Sequence, residues 1–284
     1  MAITGSGTQA DPYQVHNYTE LKTACNNSNV YVELANNINC NDYGEDFEWQ
    51  TVVLGSNSDL DLKTYIIKNF KVKDNNYVFH ADNWSKIHNG KILNVYLARS
   101  YGFSAKWNST ESRWAYLENL SISINTGGGL NNSMVFDCFA MNACAIYIEG
   151  DVKSHLIRLY DADGAEITNT DFLFDIDSNT GECSIFSGHG ARVKNCRIRG
   201  RFNITGNINR VLYINGGFYL CVIDLTTSAT NVSSNPSTVS TGIINTDKTP
   251  SVFYTNGMTA VDSTEIINGA ALRAKNFDVI NVVG

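Results

Sequence analysis

The feature that most constrains the fold is a four-residue pattern that returns about every 25 residues: asparagine, an apolar residue, any residue and another apolar residue. The copies are NFKV at 69–72, NVYL at 94–97, NLSI at 119–122, NACA at 142–145, NTDF at 169–172, NCRI at 195–198 and NFDV at 276–279. LCVI at 220–223 continues the series with leucine in place of asparagine. A sustained period of this length indicates a stacked-repeat architecture.

Each repeat is too short for a strand–helix–strand unit, which needs about 30 residues or more. The chain also lacks the helix-period patterning of apolar residues. Each repeat instead holds two or three short β-type runs separated by Gly, Asn and Asp, such as CSIFSG at 183–188 and RVLYING at 210–216. A unit of this kind is one coil of a parallel β-helix. The sequence therefore predicts an all-β fold, a single-stranded parallel β-helix.

Alignment on the asparagine predicts which side chains are buried. The first and third residues after it share one face of a strand. Nearly all are apolar, including Val95, Leu97 and, in the NACA copy, Ala143 and Ala145. The second position is mixed, so we expect it to face outwards. The asparagine itself tolerates a left-handed bend, where its amide can bond to the asparagine of the next coil. We therefore predict a structural role for these asparagines and not a catalytic one.

The segment NTDFLFDIDSNTGECSIFSGHGARVKNCRIRG at 169–200 resembles polygalacturonase signatures, because Asn-Thr-Asp, Gly-His-Gly and Arg-Ile-Arg follow in that order. A glycosidase needs two carboxyl groups about 5 to 10 Å apart across one bond, and here they would stand on successive coils. Asp171 precedes His189 by 18 residues, and His189 precedes Arg197 by only 8. The spacing therefore disfavours such a site. It places Asp171 and Arg197 at the same outward position of adjacent coils, where we predict an ion pair.

A calcium loop in DIDSNTG is a second chemical possibility. Asp175, Asp177 and Asn179 match the first three ligand spacings of an EF-hand-like loop. Thr180, however, stands where that loop requires glycine, and Phe186 stands where it requires a bidentate glutamate. The sequence therefore predicts no cofactor and no metal, with calcium at this loop as the alternative.

Two insertions interrupt the period, near 98–116 and near 226–250. Aromatic residues on loops can stack on sugars, form subunit contacts or cover the side of the β-helix. The first insertion supplies the binding or interface candidates, which are Tyr101, Phe103, Trp107, Trp114 and Tyr116. No catalytic residue is predicted.

The N-terminal segment differs from the repeats, so we divide the chain into a leader and cap at 1–28 and a β-helix at 29–284. In GSGTQADPYQVHNYTELKTA at 5–24, Asn17 can cap a short helix from Tyr18 to Ala24. That helix would cover the open end of the first coil, whose strand edges are otherwise unpaired. This leader, with its Thr-Glu-Leu helix and the coils after it, resembles right-handed parallel β-helix proteins of the pectate-lyase-like superfamily, in particular phage tail-spike and appendage proteins.

The resemblance implies a non-enzymatic virion structural protein: a tail spike, fibre or appendage component that presents a rigid β-helix for host attachment or assembly. It also implies a homotrimer, contacts with other virion proteins and with a host cell-surface glycan, and a place in the virion after synthesis in the host cytoplasm. The C-terminal NFDVINVVG leaves an apolar strand edge that a neighbour should cover. Two alternatives remain open, a carbohydrate-active enzyme (a polysaccharide lyase or depolymerase) and a bacterial surface adhesin.

Bulk properties disfavour several other classes. A net charge of −7 argues against nucleic-acid binding. Because no run reaches about 18 apolar residues, we expect no membrane insertion. The N-terminus lacks the basic and apolar regions of a Sec signal peptide, which disfavours the adhesin. The seven cysteines show no CxxC spacing and are predicted to be reduced and mostly buried.

Overall fold

The computed structural model describes residues 3–44, 46–98, 100–105, 115–130, 134–137, 139–152, 155–159, 166–178, 184–188, 192–204, 212–214, 217–227, 242–245 and 258–261. One α-helix, α1, spans Tyr18–Cys25, and a 3₁₀ turn spans Cys40–Tyr43. The strands are β1 (Tyr13–Val15), β2 (Tyr31–Leu34), β3 (Ile38–Asn39), β4 (Glu48–Trp49), β5 (Val52–Leu54), β6 (Asp59–Asp61), β7 (Ile66–Lys73), β8 (Tyr77–Ala81), β9 (Lys86–Ala98), β10 (Tyr101–Ala105), β11 (Ala115–Leu130), β12 (Phe136–Asp137), β13 (Phe139–Asn142), β14 (Ala145–Val152), β15 (His155–Leu159), β16 (Glu166–Thr168), β17 (Asp171–Ser178), β18 (Ser184–Gly188), β19 (Arg192–Lys194), β20 (Arg197–Ile204), β21 (Leu212–Ile214), β22 (Phe218–Tyr219), β23 (Cys221–Thr227), β24 (Gly242–Asn245) and β25 (Met258–Val261).

These strands form the parallel β-helix that the repeat predicts. Within the described residues, one sheet has 18 strands and the other has 7, namely β5, β8, β10, β12, β15, β18 and β21. Each strand pairs in parallel with a strand of the next coil, as β14 does with β17 and β17 with β20. The parallel pairing of residues about one repeat apart is what separates this fold from a sandwich of hairpins.

The core lies between the two sheets and is stacked coil upon coil. The predicted inward residues Phe70, Val72, Val95 and Leu97 are buried. On the smaller sheet, phenylalanines of consecutive coils stack on one another, and the ring centroids of Phe79 and Phe103 lie 5.8 Å apart. The repeat thus places similar side chains above one another, which gives a continuous apolar interior.

The asparagine ladder is confirmed in its main features. Asn69, Asn94, Asn119, Asn169 and Asn195 all have left-handed backbone angles. The amide of Asn94 donates to the side-chain oxygen of Asn69 at 2.9 Å, and that of Asn195 donates to Asn169 at 2.7 Å. These bonds join equivalent corners of neighbouring coils.

Two details of the predicted register are wrong. In the NACA copy the left-handed residue is Ala143. The side chains that follow it into the core are those of Cys144 and Ile146. Ala143 and Ala145, which were predicted to point inwards, are partly exposed. The structural copy therefore starts one residue later than the letters suggest, and the coil from Asn119 to Ala143 spans 24 residues where the asparagine letters give 23.

The second correction concerns the partner of Asn119. Its amide bonds to Asn89 at 3.1 Å and not to Asn94. The register between β9 and β11 shifts between Ile122 and Ile124, so the two strands slip past each other there. A shift of this kind is a β-bulge, which the spacing of asparagines in the sequence does not reveal.

The predicted capping helix is present as α1. The side chain of Asn17 accepts a hydrogen bond from the backbone N–H of Glu20 at 2.9 Å. Leu21, Ala24 and Cys25 join the hydrophobic core from the helix. The leader also supplies β1, which pairs with β2. The helix therefore covers apolar residues at the N-terminal end of the coils.

The insertions and the C-terminal region are described only in part. In the first insertion, Tyr101–Ala105 form β10, which is a regular strand of the smaller sheet. In the second insertion, 228–241 and 246–250 lie outside the described residues, as does the C-terminal NFDVINVVG. The described cysteines are free and buried, namely Cys25, Cys40, Cys144, Cys196 and Cys221. Among the described residues, no helix has the length and apolar character to cross a membrane.

Candidate functional site

Charged side chains of both signs lie together on the outer face of β17 and β20, which we call the arginine face. Its residues are Asp171, Asp175 and Asp177 of β17 and Arg197, Arg199 and Arg201 of β20. Period-two alternation produces it, because Phe172, Phe174 and Ile176 point into the core between these positions. The sequence pattern therefore brings carboxylates and guanidinium groups together on neighbouring coils.

The predicted Asp171–Arg197 register is confirmed, but the predicted ion pair is wrong. The two residues are direct partners across β17 and β20. The carboxylate of Asp171 instead accepts a hydrogen bond from Nε of Arg199 at 3.1 Å. Asp171 is also only 3% exposed, although an outward position was predicted to be exposed. The reason is that the long Arg199 side chain reaches back diagonally and covers the short aspartate.

The burial of Asp171 has electrostatic consequences. Loss of water raises the pKa of its carboxyl, while the hydrogen bond and charge of Arg199 oppose that rise. The second carboxylate oxygen has no hydrogen-bond partner among the described residues, and neither has Nε of Arg197. An acid with one free buried oxygen therefore lies beside two guanidinium groups.

A groove of about 490 Å³ lies over Asp171 and Arg199. Its walls carry both apolar and polar side chains, which include Lys91, Ser121, Ser123, Tyr147 and Leu173. Tyr147 donates a hydrogen bond to Glu149 at 2.6 Å, and this bond raises the pKa of the phenol to about 12. The groove has the mixed lining that is typical of small-molecule sites.

The calcium alternative is not supported by the contacts of its aspartates. Asp175 and Asp177 lie on the extended strand β17 and not in a loop. Arg201 binds both, with Nε 2.7 Å from Asp175 and Nη1 2.8 Å from Asp177. This contact lowers the pKa of Asp177. The two aspartates are therefore already paired with a cationic side chain of the protein itself. The third predicted ligand, Asn179, lies outside the described residues.

The aromatic candidates are divided between several environments. Phe103 is fully buried on β10 and stacks in the core, so its prediction as a surface residue is wrong. Tyr101 stacks on Tyr77 of the preceding coil, with ring centroids 4.7 Å apart. Trp107 and Trp114 lie outside the described residues. Tyr101 and Phe103 belong to β10, which continues the smaller sheet, whereas an insertion outside the repeat was expected.

Tyr116 lines a groove. This second groove, of about 350 Å³, runs over β11, β13 and β16 and also includes Lys86 and Glu118. Trp84 lies beside Tyr116, with ring centroids 6.4 Å apart and an angle of 21° between the planes. We call this surface the aromatic groove.

Sequence reasoning missed Trp84 and Arg199. The Arg-Ile-Arg spacing was sufficient to place Arg199 on the same face as Arg197, because residues two apart in a strand share a face. Trp84 gave less signal, since it stands in the NWS turn at 83–85 and not in a repeat copy or an insertion. Its exposure follows only from the folded backbone.

A histidine–serine pair on the smaller sheet has the composition of a hydrolytic dyad. Nδ1 of His155 lies 2.5 Å from Oγ of Ser184. Ser184 is, however, only 1% exposed. A serine nucleophile must reach a substrate carbonyl, so this pair is closed to substrate in the folded protein.

The comparisons with known proteins support the fold alone. No protein-family model matches the chain, and no characterised protein matches it in sequence. A solved structure from Bacteroides ovatus, named as a candidate immunoglobulin A1 protease, is similar with a TM-score of 0.61 and 15% sequence identity. The match covers 93% of this chain and 88% of that one. At this identity the likeness shows a common β-helical architecture.

Proposed function

We propose that this chain is a non-enzymatic structural protein that presents a rigid β-helix for attachment or assembly. The observation that carries this proposal is that polar side chains on the outer faces bind one another between coils. Arg158 binds Asp137 through two hydrogen bonds of 2.8 and 2.7 Å, and Lys194 binds Glu166 at 2.5 Å. Together with the asparagine ladder, these contacts hold the coils in register. The charged groups in these pairs thus serve to stiffen the stack of coils.

The setting of this module is proposed from the resemblance of its N-terminal leader. We place it in a phage virion as a tail-spike, fibre or appendage component, assembled in the host cytoplasm. A homotrimer suits this role, because three parallel rods can cover one another's exposed flanks. Other virion proteins and a host cell-surface glycan are the partners that the role requires.

The assembly part of the proposal is tested by native mass spectrometry and mass photometry of the purified full chain. We expect a trimer that persists on dilution to nanomolar concentrations. A stable monomer under those conditions would contradict the proposed assembly. Limited proteolysis of the same sample should leave the described coils intact, since each is hydrogen-bonded to its neighbours.

A second candidate function, cleavage of a polysaccharide, is favoured by one observation: the carboxyl of Asp171. Its pKa is raised by burial, so it retains its proton to a higher pH than an ordinary aspartate. It lies in the groove of about 490 Å³ beside Arg199. A carboxylic acid of this type can act as a general acid in glycoside cleavage.

The two functions are separated by incubating the protein with bacterial capsular polysaccharides and measuring chain length by size-exclusion chromatography. The structural proposal expects no shortening. Shortening that is lost in Asp171→Asn and kept in Asp175→Asn would establish the enzyme instead. Asp175 is the matched control because it lies on the same face of β17 but is exposed and bound to Arg201.

A further inference from the structure

We infer that the aromatic groove binds a neutral glycan, with one sugar ring stacked on Trp84. This inference deepens the proposed attachment function and rests on it. Trp84 is 47% exposed, although tryptophan is normally a largely buried residue. It therefore presents a large apolar surface to solvent beside Tyr116, which lines the groove.

The backbone at Trp84 gives an independent reason to regard this exposure as functional. Trp84 has a φ of 62°, in the left-handed region that bulky side chains rarely adopt. The equivalent corners of the two preceding coils are occupied by Asn29 and Asn57, both also left-handed. The equivalence follows from the backbone, since N–H of Asn29 donates to Ser56 and N–H of Asn57 donates to Asn83, the residue before Trp84.

At this corner, asparagine would serve the fold better than tryptophan. The amide of Asn57 bonds to the side-chain oxygen of Asn29 at 3.0 Å, so the ladder runs up to Trp84 and ends there. Tryptophan gives up the next amide bond and takes a strained conformation, while half of its ring faces water. Residues held in sparsely populated backbone conformations cluster at active sites and ligand clamps, which supports a binding role for Trp84.

The surroundings of Trp84 fit the two kinds of surface on a sugar ring. The C–H face of a pyranose is apolar and is attracted to the electron-rich face of an aromatic ring. The exposed ring of Trp84 supplies such a face, and the ring of Tyr116 lies nearly parallel to it at an angle of 21°. The hydroxyl groups need donors and acceptors at the rim, and the groove supplies Lys86, Glu118 and Asn142.

The charges in the groove favour a neutral glycan over an acidic one. Lys86 is paired with Glu118, and this contact lowers the pKa of the glutamate, so it stays ionised as an acceptor for hydroxyl groups. Asn142 donates to Glu118 at 3.3 Å and accepts from Thr168 at 2.9 Å. Because Lys86 is already paired with Glu118, this cation is not free to bind a carboxylated sugar.

The test begins with a glycan array that carries neutral and uronic-acid-containing bacterial polysaccharides. Titration calorimetry then follows with the neutral oligosaccharide that gives the strongest signal. Two variants separate aromatic stacking from shape: Trp84→Tyr keeps an aromatic ring, and Trp84→Leu does not. Leucine should be tolerated at such a corner, because Leu220 occupies one with a φ of 54°. Tyr96→Leu is the control, since Tyr96 is an exposed aromatic residue outside the aromatic groove.

We expect Trp84→Leu to weaken binding about 10- to 100-fold, the loss that corresponds to one stacked ring. Trp84→Tyr should stay within about threefold of the wild type, and Tyr96→Leu should bind normally. Binding of acidic glycans alone, binding of no array glycan, or equal losses in Trp84→Leu and Trp84→Tyr would each overturn the inference. A trimeric rod that binds no glycan would leave the assembly proposal standing, so the two failures can be told apart.

Discussion

Leu220 offers a direct test of the asparagine ladder. It occupies the corner that follows Asn195 in the column of Asn169 and Asn195, with a φ of 54° and an exposure of 49%. In Leu220→Asn the new amide can reach the side-chain oxygen of Asn195 and extend the ladder by one coil. We expect this variant to be more stable than the wild type.

The size of the effect follows from three contributions. A left-handed backbone costs an ordinary residue about 1–2 kcal/mol, of which asparagine recovers roughly half. One further amide hydrogen bond contributes about 1 kcal/mol. Against this, loss of the half-buried leucine side chain removes about 1 kcal/mol of apolar burial. The balance is a stabilisation of about 0.5–1 kcal/mol.

Leu220→Ala is the matched comparison, because it loses the same apolar contacts, keeps the backbone strain and adds no amide. We expect it to be less stable than Leu220→Asn by about 1.5–2 kcal/mol. Urea unfolding followed by circular dichroism measures the difference. Hydrogen exchange of the β22 and β23 amides shows whether the change is local, as repeat folds predict. A Leu220→Asn variant no more stable than Leu220→Ala would refute the ladder argument.

Three further predictions concern buried or strained groups. Arg199→Ala should destabilise the protein by about 1–3 kcal/mol, because it leaves the buried carboxylate of Asp171 without its donor. The loss should lie towards the lower end of this range, since Arg199 is 27% exposed. In urea unfolding, adding Asp171→Asn should restore much of the lost stability. Burial would lower the pKa of His88, but its contact with Asp59 at 2.5 Å raises it above the unfolded value. Its stabilising contribution is therefore complete below about pH 6.5 and is lost as the pH rises through the folded pKa; the urea midpoint of His88→Gln should lack this decline. Gly200→Ala should cost about 2–4 kcal/mol in a thermal or urea melt, because φ is 109° and an added Cβ would lie 2.0 Å from a carbonyl oxygen of the neighbouring strand.

The outline of the arginine face could be predicted from the sequence. Period-two alternation placed Asp175, Asp177 and the arginines of β20 on one outer face, and the repeat length put Asp171 opposite Arg197. Which arginine holds Asp171 depends on side-chain reach over a curved surface, and no spacing in the sequence encodes that reach. Phe103 was misassigned for a related reason, since a strand that continues the smaller sheet and an insertion between coils can have the same composition.

The sequence by itself determined the architecture. A period of about 25 residues with apolar side chains on alternate positions can bury its core only by stacking coil on coil, and Asn17 and the asparagine corners follow from local backbone preferences. The tertiary structure alone decided the register shift at β9 and β11, the burial of Asp171 and the exposure of Trp84. These depend on contacts between residues a full coil apart, where a slip of one residue or the length of one side chain changes the neighbour.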